Sequence, residues 1–569
     1  MKRLLLSVAI LLLTGNNLLA NILRVPQDYP SIQQAVLAAR NSDTVLVAEG
    51  TYYENVNLRG KNIVVASNYI FNKDPQTIKN TIVNGSHSAY ADSGSVFLLI
   101  SKEDSTTVLE GFTITGGTGS KYTFSGSVYQ EGGGVILSYS SAIIRNNIII
   151  NNVLKPGSGV KNGGGGGISS MYGNPLICNN VIVSNSSVYA CGIVLNWSGG
   201  KIKNNIIYHN VGAGTYGAAG VMIWASPQNS AFIENNTIVG NVSTSTAGGV
   251  LIYSTNPIVK NNIIWGNRQA SGLQVVLPQY LSNNITEENY SALNKVANPF
   301  ISEGTFLLTD ASPAIDAGDT AAVCMDGEDP LRPGYALFPS KGMVRNDAGA
   351  FGGKYAKQLP LPEVTDIYIS RTSLAVQCTT GQSGSAAFEL LNLSTKPLVI
   401  DSITISDKSL FAVSGISSGS TMGVFDSDTI KLNFAPGTAG SYTDTVKIYY
   451  KGMPAAGPQK IPVNAKALGA SDIKQSSVQQ RTFCLHQNYP NPFNPETLIC
   501  FDLPERMFVS LKVFDVLGKE IVTLAEHSEF ASGPHTVTWH PENTIAGGVY
   551  FVRMLAGAKI NTIKAVYLK

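Results

Sequence analysis

The feature that most constrains the fold of this 569-residue chain is a segment that recurs five times between Gly134 and Asn267. Each copy begins with glycine, continues as an alternating apolar run, and then carries two further apolar runs separated by asparagines. The starting glycines are 33, 25, 28 and 29 residues apart: Gly134, Gly167, Gly192, Gly220 and Gly249. A period of this length indicates a solenoid, in which each copy buries its apolar face against its neighbours.

Residue usage in the copies decides between a helical and a β solenoid. They are rich in β-branched residues, glycine and asparagine, all of which disfavour helix. Their short alternating runs, divided by turn residues, are typical of strands. The sequence therefore predicts a parallel β-helix.

The alternation also assigns faces to the predicted strands. Two columns of equivalent residues are expected to point into the solenoid: Ile144, Ile177, Ile202, Ile233 and Val259, and Ile149, Ile182, Ile207, Ile238 and Ile264. Pairs of asparagines lie between the second and third run of each copy, at Asn146/Asn147, Asn179/Asn180, Asn204/Asn205, Asn235/Asn236 and Asn261/Asn262. Asparagine tolerates left-handed backbone, and stacked amides can bond along the axis, so these pairs are expected at a corner.

The repeat, together with the segment from Val25 to Val56, resembles the right-handed parallel β-helix of the pectin-lyase-like superfamily. In that segment Ser31 can cap a short helix that would cover the open end of the stack. The segments Ser312–Asp319 and Asn346–Gly353 resemble the closing part of bacterial secreted β-helix proteins. The resemblance implies a right-handed β-helix over residues 21–360, with an N-terminal cap helix and an acidic closing segment.

Two further regions follow the repeat. Residues 361–468 carry strand signals every 8 to 12 residues and resemble an immunoglobulin-like module. Residues 469–481 are a polar linker, and residues 482–569, with NYPNPFNPETLICFDLP from Asn488, resemble the C-terminal sorting domain of the type IX secretion system. The whole chain is thus expected to be all-β, a right-handed parallel β-helix followed by two small β-sandwich domains.

The N-terminus has the pattern of a signal peptide over residues 1–20: Lys2 and Arg3, an apolar core from Leu4 to Leu13, and Ala20 before the cleavage point. With the sorting-domain resemblance, it implies export to the surface or medium of a two-membrane bacterium, with the type IX secretion machinery as a partner. We expect no transmembrane segment after cleavage, and a monomer. The formal net charge of +2 gives no global attraction for nucleic acid.

The carboxylates needed for polysaccharide cleavage are scarce in the coils. Between Gly111 and Thr286 there are two, Glu131 and Glu234. Glycoside hydrolysis needs a close carboxylate pair, and a calcium-dependent lyase needs several oxygen ligands. This scarcity argues against cleavage, and the family resemblance together with the aromatic column described next implies a protein that binds or scaffolds a polysaccharide or cell-surface glycan without cutting it.

An aromatic residue ends the first run of every copy, and these five are the candidate carbohydrate-binding residues: Tyr139, Tyr172, Trp197, Trp224 and Tyr253. Stacked aromatic faces suit sugar rings. The alternative is a ladder that packs on itself and stiffens the solenoid. A basic column, Arg145, Lys203 and Lys260, admits the same two readings, a groove for an anionic glycan or ordinary solubilising charge.

An enzyme remains an alternative, as a polysaccharide lyase or glycoside hydrolase acting on an acidic polysaccharide. Its candidate catalytic residues lie in the two long insertions: Lys121, Tyr129, Lys155 and Lys161. A lysine and a tyrosine can serve as base and acid in β-elimination. A third reading makes the solenoid a structural or adhesive spacer.

The closing segment offers the candidate metal ligands. Asp316, Asp319, Asp326 and Asp329 are clustered hard oxygen donors that could hold Ca²⁺. The alternative is that arginine–carboxylate pairs close the end of the helix. No other cofactor is expected.

Overall fold

The computed structural model describes residues 20–88, 92–124, 126–212, 217–244, 246–253, 255–269, 275–276, 280–288, 292–299, 301–455, 457–469, 483–488, 490–516, 519–531, 533–542, 545–556 and 559–568. The predicted signal peptide, except Ala20, and the predicted linker, except Gly469, lie outside these residues. No helix among the described residues is long and apolar enough to cross a membrane.

The first part of the chain winds as a parallel β-helix with three sheets, because successive coils add one strand to each sheet. Sheet A comprises Ile22–Val25, Thr44–Val47, Val64–Ser67, Val108–Glu110, Ile143–Arg145, Leu176–Cys178, Gly200–Lys203, Ala231–Glu234, Ile258–Lys260 and Leu281–Ser282. Sheet B comprises Gly50–Tyr52, Thr81–Asn84, Thr113–Thr115, Ile148–Ile150, Val181–Val183, Ile206–Tyr208, Thr237–Val239, Ile263–Trp265, Ile285–Thr286 and Lys295–Val296. Sheet C comprises Val56–Asn57, Phe97–Leu99, Val135–Ser138, Ile168–Met171, Ile193–Asn196, Val221–Trp224, Val250–Tyr253 and Val275–Val276.

The register confirms the predicted inward columns. Ile144 pairs with Ile177, which pairs with Ile202, and the series continues through Ile233 and Val259. All five side chains, and all five of the second column, are 0% exposed. Each coil therefore buries its apolar residues on the same residues of the coils before and after it, which is what a solenoid needs for a continuous core.

The asparagine pairs lie at the corner between sheets A and B, as predicted. The first member of each pair has a left-handed backbone, with φ between 52° and 58°. The second members form a ladder in which each side-chain amide donates to the amide oxygen of the next, at 3.0 Å from Asn180 to Asn205 and from Asn205 to Asn236. A second ladder, not predicted, follows sheet B and consists of Asn152, Asn185, Asn210, Asn241 and Asn267.

The predicted cap helix is present as Ile32–Ala38. The Ser31 hydroxyl accepts a hydrogen bond from the Gln34 backbone amide at 3.2 Å. The Glu54 carboxylate accepts from the backbone amides of the first two helical residues, Ile32 and Gln33, at 2.9 Å each. At the other end, Lys61 Nζ donates to three carbonyl oxygens of the last turn. Both charges match the helix dipole, so the seven-residue helix is stabilised at each end.

The remaining elements of the first part are short. Tyr69–Asn72 and Pro75–Asn80 are α-helices, and Gly85–His87 is a 3₁₀ turn. A four-stranded sheet, the hairpin sheet, consists of Ser93–Gly94, Gly119–Phe124, Ser127–Glu131 and Asn162–Gly164. A small parallel sheet consists of Ser186–Ser187, Val211–Gly212, Val242–Ser243 and Arg268–Gln269.

The outer face of sheet B is also buried. Tyr208 is 0% exposed and packs edge-on against Phe306, and Phe306 in turn contacts Phe425. The apolar cluster includes outward residues of six sheet B strands and apolar side chains from the segments 301–368, 391–393 and 424–425. Sheet B is therefore apolar on both faces, and Ile148, Ile149 and Ile150 in one strand illustrate the pattern.

Residues 367–468 form two further sheets. One contains Ile367–Ile369, Gly384–Asn392, Phe411–Ser414 and Ser427–Phe434, and the other contains Leu374–Thr379, Leu398–Thr404, Ser420–Met422, Gly440–Tyr450 and Gln459–Leu468. The chain divides into two compact units: one extends to Leu374 and includes Ala386–Leu432 and Asp444–Val463, and the other comprises Ala375–Ser385, Asn433–Thr443 and the chain from Asn464.

The last described residues form seven strands in two sheets. Cys484–Leu485, Thr497–Leu503 and Gly533–Trp539 make one, and Met507–Phe514, Glu520–Phe530, Gly548–Ala556 and Lys559–Tyr567 make the other. Their core contains Trp539 at 1% exposure and Tyr567 at 5%. The final strand is an edge strand, and Asn491 and Phe493 hydrogen-bond to its free side around Val566.

Candidate functional site

The predicted aromatic residues form a stacked column beside sheet C. Tyr139 and Tyr172 stack with ring centroids 5.0 Å apart, and Tyr172 and Trp197 stack at 5.6 Å. Trp224 and Tyr253 stack at 4.2 Å with an interplanar angle of 9°. The two end rings are the most exposed, at 57% for Tyr139 and 42% for Tyr253. The column therefore presents aromatic surface to solvent while its members pack on one another.

The column contains a step of one residue. Tyr139, Tyr172 and Trp197 follow their strands and have left-handed backbones, with φ between 48° and 56°. Trp224 and Tyr253 are instead the last residues of their strands, and Trp224 pairs in register with Asn196. The expectation that all five occupy equivalent positions therefore holds only within each of the two groups.

A cavity of ≈ 270 Å³ lies at this step. It is lined by both indoles, three tyrosines, two side-chain amides and a methionine: Trp197, Trp224, Tyr122, Tyr129, Tyr189, Asn162, Asn196 and Met222. Aromatic rings supply apolar faces, and the amides and phenol hydroxyls supply hydrogen-bonding groups. Small-molecule pockets commonly combine these two kinds of surface.

The hairpin sheet builds one wall of this cavity. Tyr122 and Tyr129 are directly opposite each other on the strands Gly119–Phe124 and Ser127–Glu131, and their rings stack at 5.5 Å. Tyr122 also packs against Leu98, Ile136 and Met171 on the outer face of sheet C. This contact holds the hairpin sheet on the solenoid.

A buried carboxyl group lies under the same hairpin. Glu131 is 0% exposed, and its Oε2 accepts a hydrogen bond from the Ser169 hydroxyl at 2.7 Å. Burial raises its pKa well above the ordinary value, because loss of water disfavours the charged form. Burial, and then the nearby Glu131 carboxyl, also raise the pKa of Tyr122. Tyr122 therefore holds its hydroxyl proton more tightly than a solvent-exposed phenol does.

The candidate catalytic residues do not converge on a reaction centre. Lys121 Nζ forms an ion pair with Asp92 at 2.9 Å, and Lys155 is exposed. Lys161 Nζ lies 5.7 Å from the ring centroid of Tyr129, so these two are brought together, at the rim of the aromatic cavity. This pair places a positive charge over an aromatic ring, an attractive arrangement in itself.

The candidate metal ligands are distributed over separate partners. Asp319 pairs with Lys260 at 2.8 Å, and Asp329 pairs with Arg332 at 2.9 Å. Asp316 accepts from the Met343 amide, whereas Asp326 is buried and accepts from the amides of Asp347 and Gly353. Within the described ranges, no three His, Cys, Asp or Glu side chains are grouped so that they could hold a metal ion.

The basic column is largely paired. Arg145 binds the buried Glu110 carboxylate at 2.7 Å, and Lys260 binds Asp319 and lies 3.8 Å from Glu234. Lys203, between them in the column, has no carboxylate within 4.0 Å among the described residues. The three cations therefore do not form a continuous open groove.

The hydrogen-bonding side chains that line the aromatic cavity are amides and phenols, and no carboxylate is among the lining residues. Residue spacing already carried the signal for the step, because Trp197 is five residues after its starting glycine and Trp224 four after its own. Tyr189, Asn162 and Met222 carried no such signal, because they lie outside the aromatic column.

Comparison with known proteins adds no assignment. No family model and no curated protein matches the chain. Among solved structures, the secreted serine protease VesC from Vibrio cholerae aligns at 9% identity, over 36% of this chain and 52% of that chain, with a TM-score of 0.16. A protein of unknown function from Porphyromonas gingivalis W83 aligns at 10% identity, over 36% and 99%, with a TM-score of 0.15. A C. elegans MSP family member, WR4, aligns at 16% identity, over 18% and 97%, with a TM-score of 0.14. At these TM-scores the likenesses carry no argument about fold or activity.

Proposed function

We propose that this chain is an exported β-helix protein that binds carbohydrate at the aromatic cavity without cleaving it. The observation that carries the proposal is the cavity at the step between Trp197 and Trp224, where aromatic faces and side-chain amides lie side by side. Sugar rings present apolar C–H faces and hydroxyl edges, and this combination matches both kinds of surface.

The position of the cavity supports the proposal. It lies at the side of a long solenoid, and the exposed rings of Tyr139 and Tyr253 continue the aromatic surface on either side of it. A polymer could follow this surface for several coils, while a single sugar residue occupies the cavity. We propose binding rather than hydrolysis because the sequence between Gly111 and Thr286 holds two carboxylates, Glu131 and Glu234, and neither lines the aromatic cavity.

The test is retention of the full mature chain on a panel of neutral and uronate-containing polysaccharides, followed by assays for unsaturated products and for new reducing ends. We expect retention on at least one polysaccharide and no product. Retention that is equal for the wild-type chain and Trp224→Ala would remove the cavity from the proposal, and product formation would favour the lyase or hydrolase alternative.

Export is part of the same proposal. The basic and apolar residues at the N-terminus and the NYPNPFNPETLICFDLP segment support it, and they imply the surface of a two-membrane bacterium. We propose that residues 361–468, which lie between the β-helix and the C-terminal sandwich in sequence, are an immunoglobulin-like module. The C-terminal sandwich is a self-contained core, with Ala565 and Tyr567 of its last strand buried.

The export proposal has a direct test in a two-membrane host with a type IX system. Residues 482–569 fused to a signal peptide and a neutral reporter should carry the reporter to the surface or medium. The matched fusion without residues 559–569 lacks the last strand and should remain in the periplasm. Equal export of both fusions would contradict the sorting role.

A further inference from the structure

A second cavity, also of ≈ 270 Å³, lies at the corner between sheets A and B, away from the aromatic cavity. The segment that follows the closing part of the solenoid passes over this corner and contributes Tyr355 and Lys357. The coils contribute Arg145, Leu176, Cys178 and Lys203. None of these residues lines the aromatic cavity, so the two can be tested separately.

The charge in this corner cavity is unbalanced. Four cations surround it, namely Arg145, Lys203, Lys357 and the nearby Lys73, and they meet one carboxylate, Glu110. Glu110 is already engaged, because Arg145 Nε and Asn146 Nδ2 each donate to it at 2.7 Å. Among the described residues, neither Lys203 nor Lys357 has a carboxylate within 4.0 Å.

Lys357 shows the consequence of this imbalance. Burial is the main cause that lowers the pKa of its ammonium group, and the charges of Lys73 and Arg145 lower it further against the opposing effect of Glu110. The Lys357 side chain is exposed overall, and its ammonium group has no carboxylate within 4.0 Å among the described residues, so a bound anion would supply the missing counter-charge.

The lining residues other than Arg145, Lys203 and Lys357 are uncharged. Leu176 and Tyr355 supply apolar surface, and the Cys178 thiol, whose pKa burial raises to about 11, stays protonated at pH 7. The volume is close to the lower limit of small-molecule pockets, about 300 Å³. The ligand that fits both the walls and the charge is a small anion with a compact uncharged body.

We propose that this corner cavity binds a small organic carboxylate, held by the ammonium groups of Lys203 and Lys357. The guanidinium group of Arg145 is already paired with Glu110, so the two lysines are the cations left to bind the ligand. Each lysine ammonium group acts as a point charge. The compact body of the ligand would lie against Leu176 and Tyr355. The proposal does not depend on the carbohydrate function of the aromatic cavity.

Isothermal titration of the full mature chain tests it, with sodium D-glucuronate, D-glucose and inorganic phosphate as probes. Glucuronate and glucose differ in one carboxylate, so we expect glucuronate to bind at least tenfold more tightly than glucose and than phosphate. The double variant Lys203→Met/Lys357→Met should lose at least tenfold in glucuronate affinity. Lys201→Met is the matched control, because Lys201 lies on the same strand but is not part of the cavity lining, and it should bind as the wild type does.

Several outcomes would overturn the proposal. They are equal binding of glucose and glucuronate, phosphate binding as tightly as glucuronate, no glucuronate binding, or an affinity unchanged in a double variant that keeps the wild-type melting temperature. The single variant Lys203→Met provides the same test if the double variant does not fold. Trp224→Ala should leave glucuronate binding unchanged, and a loss in this variant alone would assign the ligand to the aromatic cavity instead.

Discussion

The backbone amide of Trp197 donates a 2.8 Å hydrogen bond to the carbonyl oxygen of Trp224, although the two indoles belong to different positions of the repeat. Trp224 pairs in register with Asn196, so Trp197 lies one residue further along its coil. Trp197 has a left-handed backbone, with φ of 48°, and Trp224 is part of its strand. This step in register is where the aromatic cavity is found.

The asparagine ladder is the first feature with a measurable energetic consequence. The Asn205 side chain donates to Asn236 and to the Ile177 carbonyl and accepts from Asn180, all within the buried corner. Asn205→Ala leaves several buried polar groups without partners, each at a cost of about 1–3 kcal/mol. We expect the free energy of unfolding to fall by about 3 kcal/mol in urea denaturation. Asn174→Ala, at an exposed position, should change it by less than about 0.5 kcal/mol. Equal losses in the two variants would contradict a structural role for the ladder.

Arg268 joins the small parallel sheet to two carboxylates distant in sequence. It forms ion pairs with Glu287 at 3.1 Å and with Glu389 at 2.9 Å, and its own side chain is 14% exposed. Arg268→Met would leave two partly buried carboxylates together without their counter-ion, and we expect a loss of about 2 kcal/mol in the free energy of unfolding. The exposed pair of Arg332 and Asp329 provides the comparison, and Arg332→Met should cost less than about 1 kcal/mol. A smaller effect at Arg268 than at Arg332 would show that this network does not stabilise the fold.

Two aspartates of the closing segment predict a pH dependence. Burial raises the pKa of Asp326 to about 7, and burial together with the Asp326 charge raises the pKa of Asp347 to about 8. Both carboxyls hold their protons more tightly in the folded protein than in the unfolded chain, where aspartate has a pKa of about 3.9. Their contribution to stability is complete below about pH 4 and is lost as the pH rises through about 7 and 8.

Asp326→Asn tests this dependence, because Asn keeps an oxygen for the Gly353 amide while it removes the titration. We expect the free energy of unfolding of the wild type to fall more steeply between pH 5 and 8 than that of the variant, by up to about 1.4 kcal/mol per pH unit. Parallel pH profiles for the two proteins would show that Asp326 does not titrate in this range.

Much of the solenoid could be predicted because each coil repeats the same physical requirement. The inward isoleucine columns and the asparagine corner follow from spacing alone, and Ser31 marked the start of the cap helix. The hairpin sheet could not be placed in this way, since Tyr122 and Tyr129 lie in an insertion that occurs in one coil only. The burial of the outer face of sheet B by later segments was also not predicted. The run Ile148–Ile150 did indicate it, because its side chains are apolar on both faces of the strand.

The candidate sites likewise combine features that the sequence spacing predicts with features that depend on how distant segments pack. The aromatic column came from the repeat, and its step came from a one-residue difference in spacing that becomes meaningful only when strands are paired. Lys357 of the corner cavity lies far from the coils in sequence, so no local pattern connects it with Lys203. The partners of Asp316, Asp319 and Asp326 likewise depend on the path of the closing segment.

The most direct test of the central claim is a fluorescence titration of the full mature chain with an oligosaccharide cut from the polysaccharide that retains it best. Trp197 and Trp224 line the cavity, so we expect saturable quenching or a blue shift of tryptophan emission in the wild type. Trp224→Ala should weaken the affinity at least tenfold, which corresponds to about 1.4 kcal/mol. Tyr53→Ala removes an exposed ring that is not part of the cavity lining and should leave the affinity unchanged. Equal affinity of the wild type and Trp224→Ala would contradict the account.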